Sequence, residues 1–118
     1  MEMLIKENNI KYLIDFHGLS AKRGYDINFG VHLGKNINNN QKSFDRLCKS
    51  LEKEKFIMSI DKPFMAGSNT IAGAMRNKFE NIFTLQIEIN CAITNKIENA
   101  KIYEKLLNIL LKWIESLC

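Results

Sequence analysis

The sequence predicts an α/β fold, in which helices pack against a mixed β-sheet, and a single domain over residues 1–118. Three observations support this prediction. Segments in which apolar and polar residues alternate, as in a strand with one buried face, are interleaved with segments of helical period. The composition, with 46% hydrophobic and 25% charged residues, is that of a globular protein. The length of 118 residues is close to the commonest domain size.

The first part of the chain predicts two strands separated by a loop. Residues 11–16 are an apolar run that ends at a His-Gly pair, which is typical of a buried strand. Residues 18–24 contain two glycines and a serine and form the loop, and residues 25–30 alternate between apolar and polar. Residues 1–6 suit the last turns of a helix that leads into the first strand. A chain that opens on the end of an element indicates that part of the fold is missing upstream.

A helix is predicted over residues 41–55, where apolar side chains recur at the spacing of one helix face. These side chains are Phe44, Leu47, Cys48 and Leu51. The Asn-rich residues 36–40 supply an N-cap for this helix. Residues 56–60 predict a third strand, which an Asp-Lys-Pro sequence stops. Residues 64–81 show little periodicity and predict an extended loop with a short strand at 69–72.

Residues 83–89 give the clearest strand, because apolar and polar residues alternate there without interruption. The last element is predicted as a helix over residues 97–117, whose wide apolar stripe is expected to pack against the sheet. The order is therefore strand, strand, helix, strand, weak strand, strand, helix. This order indicates an α/β layered domain with a mixed sheet.

Charge, hydropathy and cysteine spacing exclude several classes of function. Lys and Arg number 17 against 13 Asp and Glu, a net charge of +4, and they are scattered, so no nucleic-acid-binding surface is predicted. No apolar run reaches the roughly 18 residues of a membrane span, and the N-terminus is not a secretory signal. Cys48, Cys91 and Cys118 have no CxxC spacing and are predicted to be free thiols. We therefore expect a cytoplasmic protein with no nucleic-acid or membrane partner.

His17 is the first residue that indicates chemistry, because it comes directly after the first predicted strand. Ligands of open α/β sheets bind beyond the ends of the strands. Imidazole is the commonest protein metal ligand and also serves as a base. The alternative is a histidine that only forms a hydrogen bond within its loop, and the sequence Asp15-Phe16-His17-Gly18 alone leaves both interpretations open.

Glu88 is the second candidate, on the strand predicted over residues 83–89. The alternation places Gln86, Glu88 and Asn90 on one face and the apolar residues on the other. Three polar groups in a row need partners if they are buried. Either this face is solvated, as on many edge strands, or it lines a site.

Two arginines and a second histidine lie in loops near these strands. The planar guanidinium of Arg23 or of Arg76 could bind a substrate carboxylate, and each is otherwise a surface arginine. His32 is predicted to be a loop residue. The sequence contains no phosphate-binding loop, dinucleotide motif, HExxH motif or CxxC pair.

Four segments, taken in order, resemble the N-formylglutamate amidohydrolase family. These segments are IDFHG (residues 14–18), Arg23 with DINFG (26–30), KPFMAGSNTI (62–71) and FTLQIEIN (83–90). They are similar to the family's strand-plus-histidine motif, its Arg followed by a hydrophobic Asp-to-Gly segment, its Gly-containing middle motif and its Gln-x-Glu-x-Asn strand. The order and the approximate spacing agree over nearly the whole chain.

The resemblance implies a three-layer α/β/α core of the zinc carboxypeptidase type, with this chain as the C-terminal half. It implies that His17 is the last of three protein ligands of a zinc ion, and that Glu88 is the general base that activates water. Arg23 and Asn69 would face the carboxylates of the substrate. The implied reaction is hydrolysis of the amide bond of a small N-acyl amino acid or peptide.

The resemblance also implies an incomplete zinc site. In the family, a histidine and an acidic residue upstream of the matched region supply the first two ligands, and this sequence starts after that region. One hypothesis is a hydrolase whose site is completed by the N-terminal half on another chain or by a homo-oligomer. The alternative is a catalytically inactive truncated homologue that acts as an oligomerisation or binding module. The two hypotheses differ in whether His17 contributes to zinc binding.

Overall fold

The structure, a computed structural model, describes residues 1–94 and 100–117, which form helices and four strands. The helices are α1 (Glu2–Asn8), α2 (Gln41–Lys53), α3 (Ile71–Lys78), α4 (Cys91–Thr94) and α5 (Ala100–Ser116), and the strands are β1 (Tyr12–Leu19), β2 (Ile27–Gly30), β3 (Met58–Ile60) and β4 (Phe83–Asn90). A 3₁₀ turn at Lys35–Ile37 precedes α2. Asn40 is the N-cap of α2, as predicted, because its side chain accepts a hydrogen bond from the backbone N–H of Ser43.

The four strands form one mixed sheet in the order β1-β4-β2-β3. β1 is parallel to β4, β2 is parallel to β3, and β2 is antiparallel to β4. β4 is therefore an inner strand, and all of its residues are buried, as expected for a strand that is covered on both faces. β1 forms one edge of the sheet and β3 the other.

One face of the sheet packs against α2 and α5. Phe83 of β4 contacts Trp113 of α5, with ring centroids 6.1 Å apart, and Phe29 of β2 contacts Phe44 of α2 at 5.2 Å. The indole N–H of Trp113 donates a hydrogen bond of 2.8 Å to the carbonyl oxygen of Ser43, which joins α5 to α2. The apolar stripes that were predicted for these two helices therefore form the main core with the sheet.

The opposite face is covered by α3, the 3₁₀ turn and the loop between β3 and α3. The side-chain amide of Asn36 in the turn donates to the carbonyl oxygen of Ala66 in the loop at 3.0 Å. Gly73 of α3 lies so close to the loop that a Cβ atom there would be 2.0 Å from the carbonyl oxygen of Gly67, so only glycine allows this packing. Because α3 contacts β4 and β1, the sheet has a helical layer on each face, in agreement with the expected three layers.

The prediction for residues 64–81 is wrong in one respect. The short strand expected at 69–72 is absent, and this part of the chain forms α3 instead. Thr70 begins the helix, because its hydroxyl accepts a hydrogen bond of 3.1 Å from the backbone N–H of Gly73. The helix buries only Ala72 and Gly73, so its sequence carries no apolar stripe that would have indicated a helix.

The first strand is longer and less buried than predicted. It was predicted over residues 11–16, but β1 continues to Leu19, which pairs with Asn90 at the end of β4. His17 therefore lies within the strand and not after it. β1 is half-buried or exposed over most of its length, since it is an edge strand. The predicted helices at the two ends are confirmed as α1 and α5, and residues 97–99 of the last prediction lie outside the described residues.

Two further expectations concern the cysteines and membrane-spanning segments. Cys48 and Cys91 are free thiols, as predicted, and Cys118 lies outside the described residues. Burial, with smaller contributions from the carboxylates of Asp45 and Glu52, raises the pKa of the Cys48 thiol to about 12, so it is not a nucleophile at neutral pH. In the part of the chain that the structure describes, no helix combines the length and the apolar character that crossing a membrane requires.

Candidate active site

Polar side chains from all four strands form one row across the sheet. His17 of β1 pairs in register with Glu88 of β4, and Glu88 pairs with Asn28 of β2. The row continues to Ser59 of β3, whose hydroxyl donates to Oδ1 of Asn28 at 2.8 Å. Glu88 is 6% exposed and Asn28 is fully buried. Buried polar groups lower the stability of a fold unless they are paired, so the two buried members of this row, Glu88 and Asn28, mark a candidate functional site.

Glu88 is the buried acid of this row. Its Oε1 accepts a hydrogen bond of 2.8 Å from the side-chain amide of Gln86. Burial raises the pKa of Glu88 above the usual 4.5, whereas the charge of His17, the hydrogen bond from Gln86 and the charge of Arg23 lower it, and Asp15 raises it. A buried carboxyl group with a raised pKa next to a histidine has the properties of a general base.

The raised pKa of Glu88 predicts a pH dependence of stability. The native protein binds more protons than the unfolded chain between the unfolded pKa, near 4.5, and the raised native pKa. The contribution of Glu88 to stability is therefore fully present below this range and is lost as the pH rises through the native pKa. We expect Glu88→Gln to gain in the free energy of unfolding, relative to the wild type, as the pH rises from about 4 to about 7.

Urea unfolding of both proteins at the two pH values measures this difference. Glu104→Gln, at an exposed position of α5, is the matched control and is expected to show no such change. A wild type that becomes more stable than Glu88→Gln as the pH rises would show that the native fold favours the ionised carboxylate.

His17 and Asp15 form a pair on the same face of β1. Nε2 of His17 lies 2.8 Å from Oδ2 of Asp15. A carboxylate only accepts hydrogen bonds, so in the tautomer that donates from Nε2 to Asp15 the lone pair of the ring is at Nδ1. Asp15 thus orients His17 in the way that outer carboxylates orient metal-binding histidines. The side chain of His17 is 47% exposed, so it is accessible to a ligand.

Arg23 lies in the loop between β1 and β2 and reaches the same site. The side-chain amide of Asn90, at the end of β4, donates to the carbonyl oxygens of Arg23 and Tyr25 at 3.3 and 3.0 Å, which holds the loop in place. The guanidinium group lies 5.7 Å from the centre of the Phe64 ring, a cation–π distance. Its positive charge lowers the pKa of Glu88, so it acts on the acid of the row.

A depression of about 340 Å³ lies next to the row. Gln86, Phe64, Met65 and Asn69 are among the residues that line it. The side-chain amide of Asn28 donates to the carbonyl oxygen of Phe64 at 3.0 Å and so fixes the loop over the sheet. The volume is in the range of small-molecule sites, and most of the lining is apolar with a few polar groups, as in such sites.

The described residues do not form a zinc centre on their own. No three His, Cys, Asp or Glu side chains among them lie close enough together to hold a metal ion. A catalytic zinc ion requires three protein ligands. His17 fits one of these three positions, because Asp15 contacts its Nε2 and leaves Nδ1 for a metal ion. The described residues do not supply the other two ligands.

The structure brings three of the predicted site residues together, namely His17, Glu88 and Arg23. Asn69 lies at the depression that Gln86 also lines. Arg76 is not available to a substrate. Its guanidinium group donates to the carbonyl oxygen of Lys35 at 3.0 Å and to Oδ1 of Asn38 at 2.5 Å, and therefore fastens α3 to the 3₁₀ turn.

Sequence reasoning missed three members of the site. Asp15 is two residues before His17 on one strand, so the period of two already placed both on one face. Asn28 and Ser59 join the row only because β2 pairs with both β4 and β3, and no signal in the sequence indicates that pairing.

Comparison with known proteins identifies the fold. No protein-family model matches the sequence, and no curated protein matches it. The chain is similar to the crystal structure of N-formylglutamate amidohydrolase from Ralstonia eutropha JMP134, with a TM-score of 0.75 and 15% sequence identity. The match covers 98% of this chain and 46% of that chain. The chain therefore has the fold of part of an amidohydrolase.

This likeness confirms the predicted resemblance and the predicted α/β class at the level of the fold. The chain spans about half of the length of the protein it matches, which agrees with the expectation that it corresponds to a half of that fold. At 15% identity the likeness concerns the fold alone.

Proposed function

We propose that this chain carries the proton-transfer half of an N-formylglutamate amidohydrolase-like site. In this proposal it hydrolyses the amide bond of an N-acyl amino acid when a further polypeptide segment completes the site. One observation supports it most. His17 and Glu88 pair in register on one face of the sheet, although the two residues come from strands that are far apart in sequence. Surface or packing requirements alone do not explain a buried acid beside an exposed histidine at this position.

Glu88 has the role of general base. With its raised pKa, the carboxylate takes a proton from the attacking water and returns it to the departing amine. Gln86 holds Oε1 of Glu88, which leaves the second carboxylate oxygen for the proton transfer. Burial keeps competing solvent away from this group.

His17 has the role of a metal ligand through Nδ1, and zinc is the metal that the resemblance implies. When it is bound, zinc polarises a carbonyl group and lowers the pKa of water to about 7. Asp15 fixes the orientation of the ring for this purpose. The remaining ligands have to come from a segment outside the described residues, because these supply no group of three donors.

Arg23 and Asn69 have the role of substrate-binding groups. The guanidinium group of Arg23, which lies over the ring of Phe64, is suited to bind a carboxylate through two parallel N–H bonds. Asn69 lines the depression, where its amide has both a donor and an acceptor for the polar part of an acyl group. A small N-acyl amino acid has both a carboxylate and a polar acyl group.

The second candidate is a truncated homologue without activity that serves as an oligomerisation or binding module. The observation that favours it is the incomplete donor set among the described residues. It leaves unexplained why the fold retains Glu88 as a buried acid with a raised pKa, a feature that lowers stability at neutral pH.

Zinc content distinguishes the two candidates. The chain is purified alone and together with the polypeptide that the DNA directly upstream encodes. If the gene is truncated, this polypeptide contains a His-x-x-acidic segment. We expect the chain alone to bind zinc weakly and the assembly to hold about one zinc ion per chain, which His17→Ala removes. His32→Ala replaces the other histidine and is the matched control. Equal zinc content in the wild type and in His17→Ala would exclude the proposed role.

A further inference from the structure

The outer edge of β1 has no partner among the described residues. β1 has eight residues and pairs only with β4. No backbone hydrogen bond outside the sheet involves Tyr12, Ile14, Phe16 or Gly18 within residues 1–94 and 100–117. The opposite edge, β3, has only three residues. Natural proteins cover or interrupt a long edge strand, because its free backbone groups bind other strands.

Every second residue of β1 has its backbone N–H and C=O groups directed away from β4. The backbone N–H of Phe83 in β4 donates to the carbonyl oxygen of Lys11 at 2.8 Å. In a parallel pair the backbone groups of alternate residues point to the same side, so the odd-numbered residues of β1 bond to β4. The N–H and C=O groups of the even-numbered residues, including Ile14 and Phe16, therefore face outwards.

Side chains on β1 also favour an added strand. Phe16 is 49% exposed, although it lies on the face that packs against α5 elsewhere in the sheet. β1 contains no proline and no lysine, the residues that usually protect an edge. Its one acidic side chain, Asp15, is held by His17 on the other face. A neighbouring strand would cover Phe16 and satisfy the outward backbone groups.

We propose that the outer edge of β1 binds a β-strand of the polypeptide that supplies the rest of the amidohydrolase fold. This inference rests on the proposed function. The matched amidohydrolase has more than half of its chain outside the matched region. Since β1 carries His17, a segment added at this edge is adjacent to the ligand whose partners are missing. The same contact therefore completes both the sheet and the donor set.

A second copy of this chain is a less suitable occupant. It would bring to this edge only the side chains that β1 already has, with Asp15 and His17 as its metal-binding types. The matched fold, in contrast, contains a large portion that this chain lacks. The edge therefore fits a different polypeptide of the same fold family.

Hydrogen–deuterium exchange and sedimentation test this inference. The purified chain is measured alone and after co-expression with the polypeptide encoded directly upstream of it. Alone, the amides of Ile14, Phe16 and Gly18 are expected to exchange freely in a monomer. In a 1:1 complex, these amides are expected to be protected about 100-fold.

Two proline variants show whether the backbone of this edge is responsible. Phe16→Pro removes an outward N–H and is expected to abolish the complex. Ile60→Pro is the matched control, since Ile60 is also 49% exposed and its N–H faces outwards at the opposite edge. Phe16→Lys, which keeps the backbone N–H and adds a charge, is expected to weaken the complex by at least about tenfold if Phe16→Pro fails to fold.

The outcomes separate this inference from the proposed function. A complex that forms through β1 but binds no zinc supports the inference and contradicts the proposed function. Zinc binding and hydrolysis by the chain alone, with a freely exchanging edge, overturn the inference; of the proposed function they keep the roles of His17 and Glu88 and contradict the need for a further segment. A homodimer that protects the amides of β1, or no complex with the upstream polypeptide, also overturns the inference.

Discussion

Glu88→Gln is expected to lower kcat for hydrolysis of N-formylglutamate by about 10³-fold in the completed enzyme, with zinc content unchanged. General-base catalysis contributes about 10²- to 10⁴-fold, and a factor of 10³ corresponds to about 4 kcal/mol in the activation barrier. Glutamine has nearly the same shape, and its Oε1 still accepts the hydrogen bond from Gln86. The variant therefore lacks the proton acceptor and retains the packing of the site.

The pH profile and a second variant distinguish a catalytic role from a structural one. The acid limb of kcat/KM in the wild type is expected to report a pKa above the usual 4.5 of a glutamate and to disappear in Glu88→Gln. Glu88→Asp keeps a carboxylate but shortens the side chain, so part of the activity should remain. If kcat of Glu88→Gln equals that of the wild type while KM rises, Glu88 binds substrate and does not transfer the proton.

The sequence predicted those parts of the fold whose burial pattern is repeated along the chain. β4 was predicted because alternation continues over eight residues, and α2 and α5 because their apolar stripes match the helical period. α3 was missed because it buries only small residues, Ala72 and Gly73, against Gly67. Close approach of two backbones leaves no hydrophobic pattern in the sequence.

The site was predicted only in part, for a related reason. Glu88 and His17 were predicted as site residues from the local sequence pattern and the resemblance, and the structure pairs them in register on neighbouring strands. The pairing of Asn28 with Glu88 depends on β2 running antiparallel to β4, and a parallel or antiparallel choice is set by the connections and not by strand residues. The pairing of strands that are distant in sequence therefore could not be predicted from the sequence and is known only from the structure.

Asp61 holds the turn after β2 in an unusual backbone conformation. Its Oδ1 accepts hydrogen bonds from the backbone N–H groups of Val31 and His32 at 2.7 and 3.1 Å, and its Oδ2 accepts one from that of Leu33 at 2.6 Å. His32, Leu33 and Gly34 are all left-handed, with φ of 48°, 55° and 93°, and Asp61 itself has φ of 62°. Left-handed residues other than glycine are unfavourable on their own, so the carboxylate has to stabilise this turn.

Asp61→Ala is therefore expected to lower the free energy of unfolding by about 3 kcal/mol, measured by urea denaturation. It leaves three backbone N–H groups without their charged acceptor, and alanine is less favourable than aspartate at positive φ. Asp61→Asn keeps an oxygen for Val31 and His32 and should lose about half as much.

The matched control is Asp45→Ala, an exposed position on α2, which should change stability by less than about 0.5 kcal/mol. An equal effect of Asp61→Ala and Asp45→Ala would show that the turn is stabilised by packing and not by the carboxylate. The loop that begins at Asp61 continues to Phe64, which lines the depression and lies under Arg23. Loss of this anchor should therefore raise KM of the completed enzyme more than it lowers kcat, because β1 and β4, with His17 and Glu88, pair independently of the turn.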